Sequence, residues 1–63
     1  MEYQIIKYKN NYAITTKEAL QDYYKTGFLP YEFMTKYKKT LINIIEKNQK
    51  FKNNTNYKTV FLT

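Results

Sequence analysis

Residues 30–51 constrain what this chain can fold into more than any other stretch. Laid out at about 100° per residue, Phe33, Met34, Tyr37, Leu41, Ile42, Ile44, Ile45 and Phe51 fall within about half of the circumference. Lys36, Lys39, Asn43, Glu46, Lys47 and Lys50 fill the opposite arc. The pattern predicts one long helix with an apolar side and a wet side. Pro30 suits a first helical position, where its missing N–H would be unpaired anyway. Glu32 would sit against the positive helix N-terminus, and Lys47 and Lys50 against the negative end. The pairs Glu32–Lys36 and Glu46–Lys50 are four apart in the better order. Some twenty helical residues would run about 30 Å, enough to span a molecule of this size.

Such a helix needs a cover, and the chain has little to spare for it. Its 63 residues make a single small binding domain over 1–63, near the lower limit for burying a core. There is no Cys and no His, so disulfides and the usual zinc ligands are excluded by residue type. Stability must come from packing or from assembly into a homo-oligomer. No apolar run approaches the ~20 residues of a membrane span, and the N-terminus lacks a signal-peptide hydrophobic region. The expectation is a cytoplasmic protein, in the host cytoplasm if viral, with no membrane partner.

Before the long segment, residues 2–8 are rich in β-branched and aromatic types and read as a strand. Asn10-Asn11 offers a tight turn, and Tyr12-Ala13-Ile14 can pair back as a second strand. Neither face of the first strand stands out as the buried one. Lys7 and Lys9 make the odd-numbered face the wetter candidate. Thr15-Thr16-Lys17-Glu18 has capping-box spacing from Thr15 to Glu18, which predicts a short helix over 16–25 with Leu20, Tyr23 and Tyr24 on one side. Gly27 supplies the left-handed residue that ends it. Phe28 and Leu29 are expected as buried anchors at the corner between the helices. After Phe51, Lys52 to Asn56 reads as a loop and Tyr57 to Leu62 as a closing strand. The expected fold is α+β, in the order β-β-α-α-β: a three-stranded antiparallel sheet with two helices on one face.

The charge is +6, with eleven Lys and no Arg. A basic surface releases counterions from phosphate, but Lys, Asn, Ile and Tyr all have A/T-rich codons, so base composition alone accounts for part of the lysine excess. Without Arg, the commonest bidentate reader of guanine is missing, and any nucleic-acid contact should be to the backbone. Aromatic residues make up 19% of the chain. Twelve rings are too many for so small a core to enclose. Several stand beside lysine, notably in Lys7-Tyr8-Lys9 and Lys36-Tyr37-Lys38.

Enzymatic chemistry is disfavoured by the absence of His and Cys and by the structural duties assigned to most carboxylates. No catalytic, cofactor or metal residues are assigned. Ile14-Thr15-Thr16-Lys17-Glu18-Ala19-Leu20 resembles the opening helix of small excisionase-type DNA-binding domains. The Thr26-Gly27-Phe28-Leu29 turn and the length of the second helix depart from that pattern, and no family is assigned from it. The expected function is that of a non-enzymatic basic binding protein, of the kind found in phages and mobile elements. It would dock on a larger host protein with an acidic surface and modulate or inhibit it. The alternative is a DNA- or RNA-binding regulator that uses the lysine face of the long helix. The candidate partner-binding residues are Tyr31, Lys36, Tyr37, Lys39, Asn43, Lys47 and Lys50.

Overall fold

The computed structural model describes residues 2–62. Strands β1 (Tyr3–Tyr8) and β2 (Asn11–Thr16) form a hairpin, followed by helix α1 (Lys17–Thr26), strand β3 (Phe33–Thr35), helices α2 (Lys38–Lys47) and α3 (Gln49–Lys52), and strand β4 (Thr55–Phe61). The four strands make one sheet in the order β3-β2-β1-β4. The α+β class expected from the sequence holds. The sheet does not match the expectation: it has a fourth strand, β3, and it is mixed, because β4 lies parallel to β1 while the other pairs are antiparallel.

The long helix is the largest correction. Residues 33–35 are extended and add to β2 through Ile14↔Phe33, Ala13↔Met34 and Tyr12↔Thr35. Pro30 opens no helix; its carbonyl accepts from the Thr15 hydroxyl at 2.7 Å, and Glu32 N–H donates to the Ile14 carbonyl at 2.8 Å, so the chain is led alongside β2. Only ten residues of the segment remain as α2. At 1.5 Å per residue it runs about 15 Å, half of the molecule's 31 Å length. Within α2 the helical face was read correctly: Leu41 and Ile45 are buried, while Lys39, Asn43, Glu46 and Lys47 are exposed. A strand between the helices also removes any helix–turn–helix arrangement.

The helices cover opposite faces of the sheet, not one. On the first face, Tyr3, Ile5 and Ile14 pack with Leu41, Ile45 and Phe51. On the second, Ile6 and Ala13 pack with Leu20, flanked by Leu29, Met34, Val60 and Leu62. Both cores draw on β1, whose residues Tyr3, Gln4, Ile5 and Ile6 are all buried. The odd face of β1, expected to be the wetter, carries the larger core through Tyr3 and Ile5, and of its lysines Lys7 is half-buried and Lys9 is exposed in the turn. Of the two expected corner anchors, Leu29 is part of the second core and Phe28 is exposed.

The Gly27 stop holds, but the capping box from Thr15 to Glu18 does not form, and the turn's left-handed residue is not an asparagine. The α1 N-cap is Thr16, whose hydroxyl accepts from Ala19 N–H at 3.0 Å, while Thr15 is committed to Pro30. Gly27 ends α1 at φ 79°, its N–H bonded to the Tyr23 carbonyl. In the hairpin turn the left-handed residue is Lys9, at φ 55°, and neither asparagine takes that conformation. Strand β4 carries a bulge: Gln4 pairs with Asn56 and Ile5 with Thr59, so Tyr57 and Lys58 are looped out of register. The buried Gln4 amide donates to the Lys58 carbonyl, and Lys58 N–H donates to Asn56 Oδ1 at 3.0 Å. Both backbone groups of Lys58 are thereby used, which blunts the open edge of β4 against pairing with another strand.

Candidate functional site

The topology sorts the charged side chains between the two ends of the sheet. Strands β1, β3 and β4 all run toward the hairpin turn, since β3 and β1 are both antiparallel to β2 and β4 is parallel to β1. Their C-terminal ends, the turn and the N-terminus of α2 therefore share one end of the molecule. Lys7 and Lys9 come to it from the hairpin, and Lys36, Lys38 and Lys39 from the β3–α2 junction. The two Lys-Tyr-Lys triplets noted in the sequence thus lie at the same end, one at the close of β1 and the other at the β3–α2 junction.

Four of the five carboxylates lie toward the other end: Glu2 before β1, Glu18 in the first turn of α1, Glu32 before β3, and Glu46 near the end of α2. Two of them meet cations there. Lys17 Nζ is 3.1 Å from Glu2 Oε1, and Lys50 Nζ is 3.8 Å from Glu32 Oε1. The fifth, Asp22, is on α1, three residues before Lys25. The first turn of α2 holds no acid, and its N-cap Tyr37 makes no side-chain cap, so Lys38 and Lys39 stand where helices ordinarily prefer carboxylates.

Aromatic rings frame the hairpin end. Tyr8 packs edge-on against Tyr23 of α1 with centroids 5.7 Å apart, and Lys9 Nζ sits 5.3 Å from the Tyr8 centroid. On the first face the registers place Phe61, Lys7, Tyr12 and Thr35 side by side in one row across all four strands. Phe61 is 68% exposed and Tyr37, at the start of α2, 67%. Phe61, on the edge strand β4, is exposed, while Lys7 beside it is half-buried.

The residues singled out from the sequence are divided by this arrangement. Lys36, Tyr37 and Lys39 are at the hairpin end. Asn43 is midway along the exposed side of α2, and Lys47 is at its far end. Tyr31 is half exposed in the α1–β3 connection. Lys50 lies over the rings of Tyr3 and Phe51, at 5.7 and 5.8 Å from their centroids, besides its ion pair with Glu32. The Tyr3 hydroxyl, with Glu32 adding, raises its pKa above the ordinary lysine value of 10.5. The same hydroxyl is buried and makes no hydrogen bond of normal geometry, so it acts on Lys50 through proximity. Lys50 is thus engaged within the fold. Lys7, Lys9, Lys38 and Phe61 were not singled out, although the adjacency of lysine to tyrosine in the two triplets was a visible signal for the first three.

One open concavity of about 510 Å³ is lined by Glu2, Asn53, Asn54, Thr55 and Asn56. It lies at the opposite end from the lysine cluster and contains no cation. Among the described residues no cluster of His, Cys, Asp or Glu could hold a metal ion, and no helix is long and apolar enough to cross a membrane. No protein-family model, curated protein or solved structure matches this chain.

Proposed function

We propose that this chain is a non-enzymatic binding module that holds nucleic acid by its phosphate backbone through the hairpin end. The observation that carries the reading is the gathering of Lys7, Lys9, Lys36, Lys38 and Lys39 from separate elements at the end from which Glu2, Glu18, Glu32 and Glu46 are absent. Separated, strongly hydrated ammonium groups suit a row of phosphates. They suit the centre of a protein interface less, because lysine is depleted there. The absence of Arg supports contact with the backbone over reading of base edges.

The test is the salt dependence of binding to a fluorescent oligonucleotide. Each phosphate neutralised contributes about 0.7 to 0.9 to the log–log slope. Replacing Lys38 and Lys39 together by Gln should lower the slope by about 1 to 2 and weaken binding at low salt. The matched pair Lys47→Gln and Lys52→Gln, at the other end, should change the slope little. Equal effects from the two pairs, or binding indifferent to salt, would remove the reading.

Docking on a larger protein is the second reading, and a different surface favours it. Tyr24, Phe28, Tyr31 and Phe33, on and around the α1–β3 connection, are 40 to 71% exposed. Exposed rings of this kind serve as rigid anchors at interfaces. A stoichiometric protein captured from nuclease-treated lysate, and lost with Phe28→Ser and Tyr31→Ser, would favour this surface over the lysine end.

A further inference from the structure

Resting on the nucleic-acid reading, we infer that the strand held at the hairpin end is single, with an unpaired base stacked on Phe61. A duplex offers a protein its phosphates and the edges of its bases, whereas the flat side of a base is free only in an unpaired strand. The structure presents a flat side of its own. Phe61 stands on the first face of the sheet beside Lys7, which is itself beside Tyr12, so an aromatic, a basic and a second aromatic residue occupy neighbouring strands about 4.8 Å apart at the backbone.

The placement of Phe61 has no account within the fold. Its sequence neighbours Val60 and Leu62 turn to the other face and pack in the second core. Phe61 turns away from that core and is among the most exposed rings of the chain. Helices α2 and α3 cover Tyr3, Ile5 and Ile14 on the first face, and Phe61 belongs to neither core. A large apolar side chain at an uncovered position beside lysines matches the alternation of stacking ring and phosphate contact that single-strand binders use. Among the described residues, nothing at this end projects as a helix would have to in order to enter a duplex groove: α2 offers only its first turn.

The partner is thus single-stranded DNA or RNA, taken without base preference, since every base has a flat side and no arginine reads edges here. Lys7, Lys38 and Lys39 would contact its phosphates and Phe61 one of its bases.

The experiment compares three probes by fluorescence anisotropy at one low salt concentration: oligo(dT), a mixed-sequence duplex of the same length, and polyglutamate. Wild type should bind oligo(dT) at least tenfold more tightly than the duplex. Phe61→Leu keeps an apolar side chain at an exposed site and should leave the thermal melt unchanged. It should weaken oligo(dT) binding by about 5- to 150-fold, the range for loss of one stacked base, without altering duplex binding. If Phe61→Leu leaves oligo(dT) binding intact while the Lys38→Gln, Lys39→Gln pair weakens both nucleic acids alike, the stacking inference is wrong and the phosphate reading stands. If polyglutamate binds and neither nucleic acid does, the reading beneath it falls as well.

Discussion

The two ends of the sheet use the same residue types for opposite purposes. Away from the hairpin, rings and charges are turned inward on the fold: Tyr3 and Phe51 meet edge-on at 4.9 Å in the core, Lys50 lies over both, and Glu2 and Glu32 each face a lysine. At the hairpin end, Phe61 and Tyr37 face solvent and Lys7, Lys9, Lys36, Lys38 and Lys39 gather away from four of the five carboxylates. The difference follows from where the chain was able to place its cover. Helix α2 descends from its first turn at the hairpin end toward the buried rings, and α3 closes over them, so one end is enclosed and the other is presented.

The contrast can be broken with one residue type. Phe51→Ala should lower stability by about 3 to 5 kcal/mol, the cost of emptying a buried ring site, whereas Phe61→Ala should barely move a chemical melt. Equal losses would show that the two ends do not differ in the way described. A smaller effect concerns Lys9, which holds a left-handed conformation that costs a residue with a side chain about 1 to 2 kcal/mol. Lys9→Gly relieves that cost but takes the ammonium from over the Tyr8 ring, so stability should change by less than about 1 kcal/mol while nucleic-acid binding weakens; a variant that keeps its affinity would detach the turn from function. The smallest effect is at Lys50. Because its folded-state pKa is raised, its contribution is fully present below about 10.5 and is lost as pH rises through the folded value. The melting temperature of wild type should then fall more steeply than that of Lys50→Met on going from pH 9 to pH 11, and parallel curves would remove Lys50 from the fold's electrostatics.

What could be read from the sequence was local. The hairpin, α1 with its Gly27 stop, and the inward Leu41 and Ile45 of α2 all rest on signals within a few residues of one another. Strand β3 was hidden because Phe33 and Met34 continue the helical spacing of Leu41 and Ile45 by coincidence. Three residues are too few for alternation to outweigh that, and what holds them extended is distant: the Thr15 hydroxyl and the Ile14 carbonyl. The ambiguity of β1 was itself informative. A run such as Tyr3-Gln4-Ile5-Ile6 that declares no wet face is what a strand covered on both sides looks like, and Gln4 is tolerated because its amide is used at the β4 bulge. The candidate site was legible as two Lys-Tyr-Lys triplets. Their sharing one end was not, because it depends on β3 pairing with β2. Phe61 could be judged exposed only once β4 was known to lie parallel to β1 at the sheet's edge.

The parallel pairing of β1 with β4 also bears on how the chain acquires its shape. Tyr3 is set against Thr55 and Lys7 against Phe61, so the central strand finds one neighbour within a few residues and the other some fifty residues later. The hairpin can close in microseconds, but the second neighbour waits on a long-range search, and contacts of that separation slow folding. During synthesis, β1 would spend seconds with one edge unguarded until β4 leaves the ribosome, and in that interval it is open to pairing with the wrong chain.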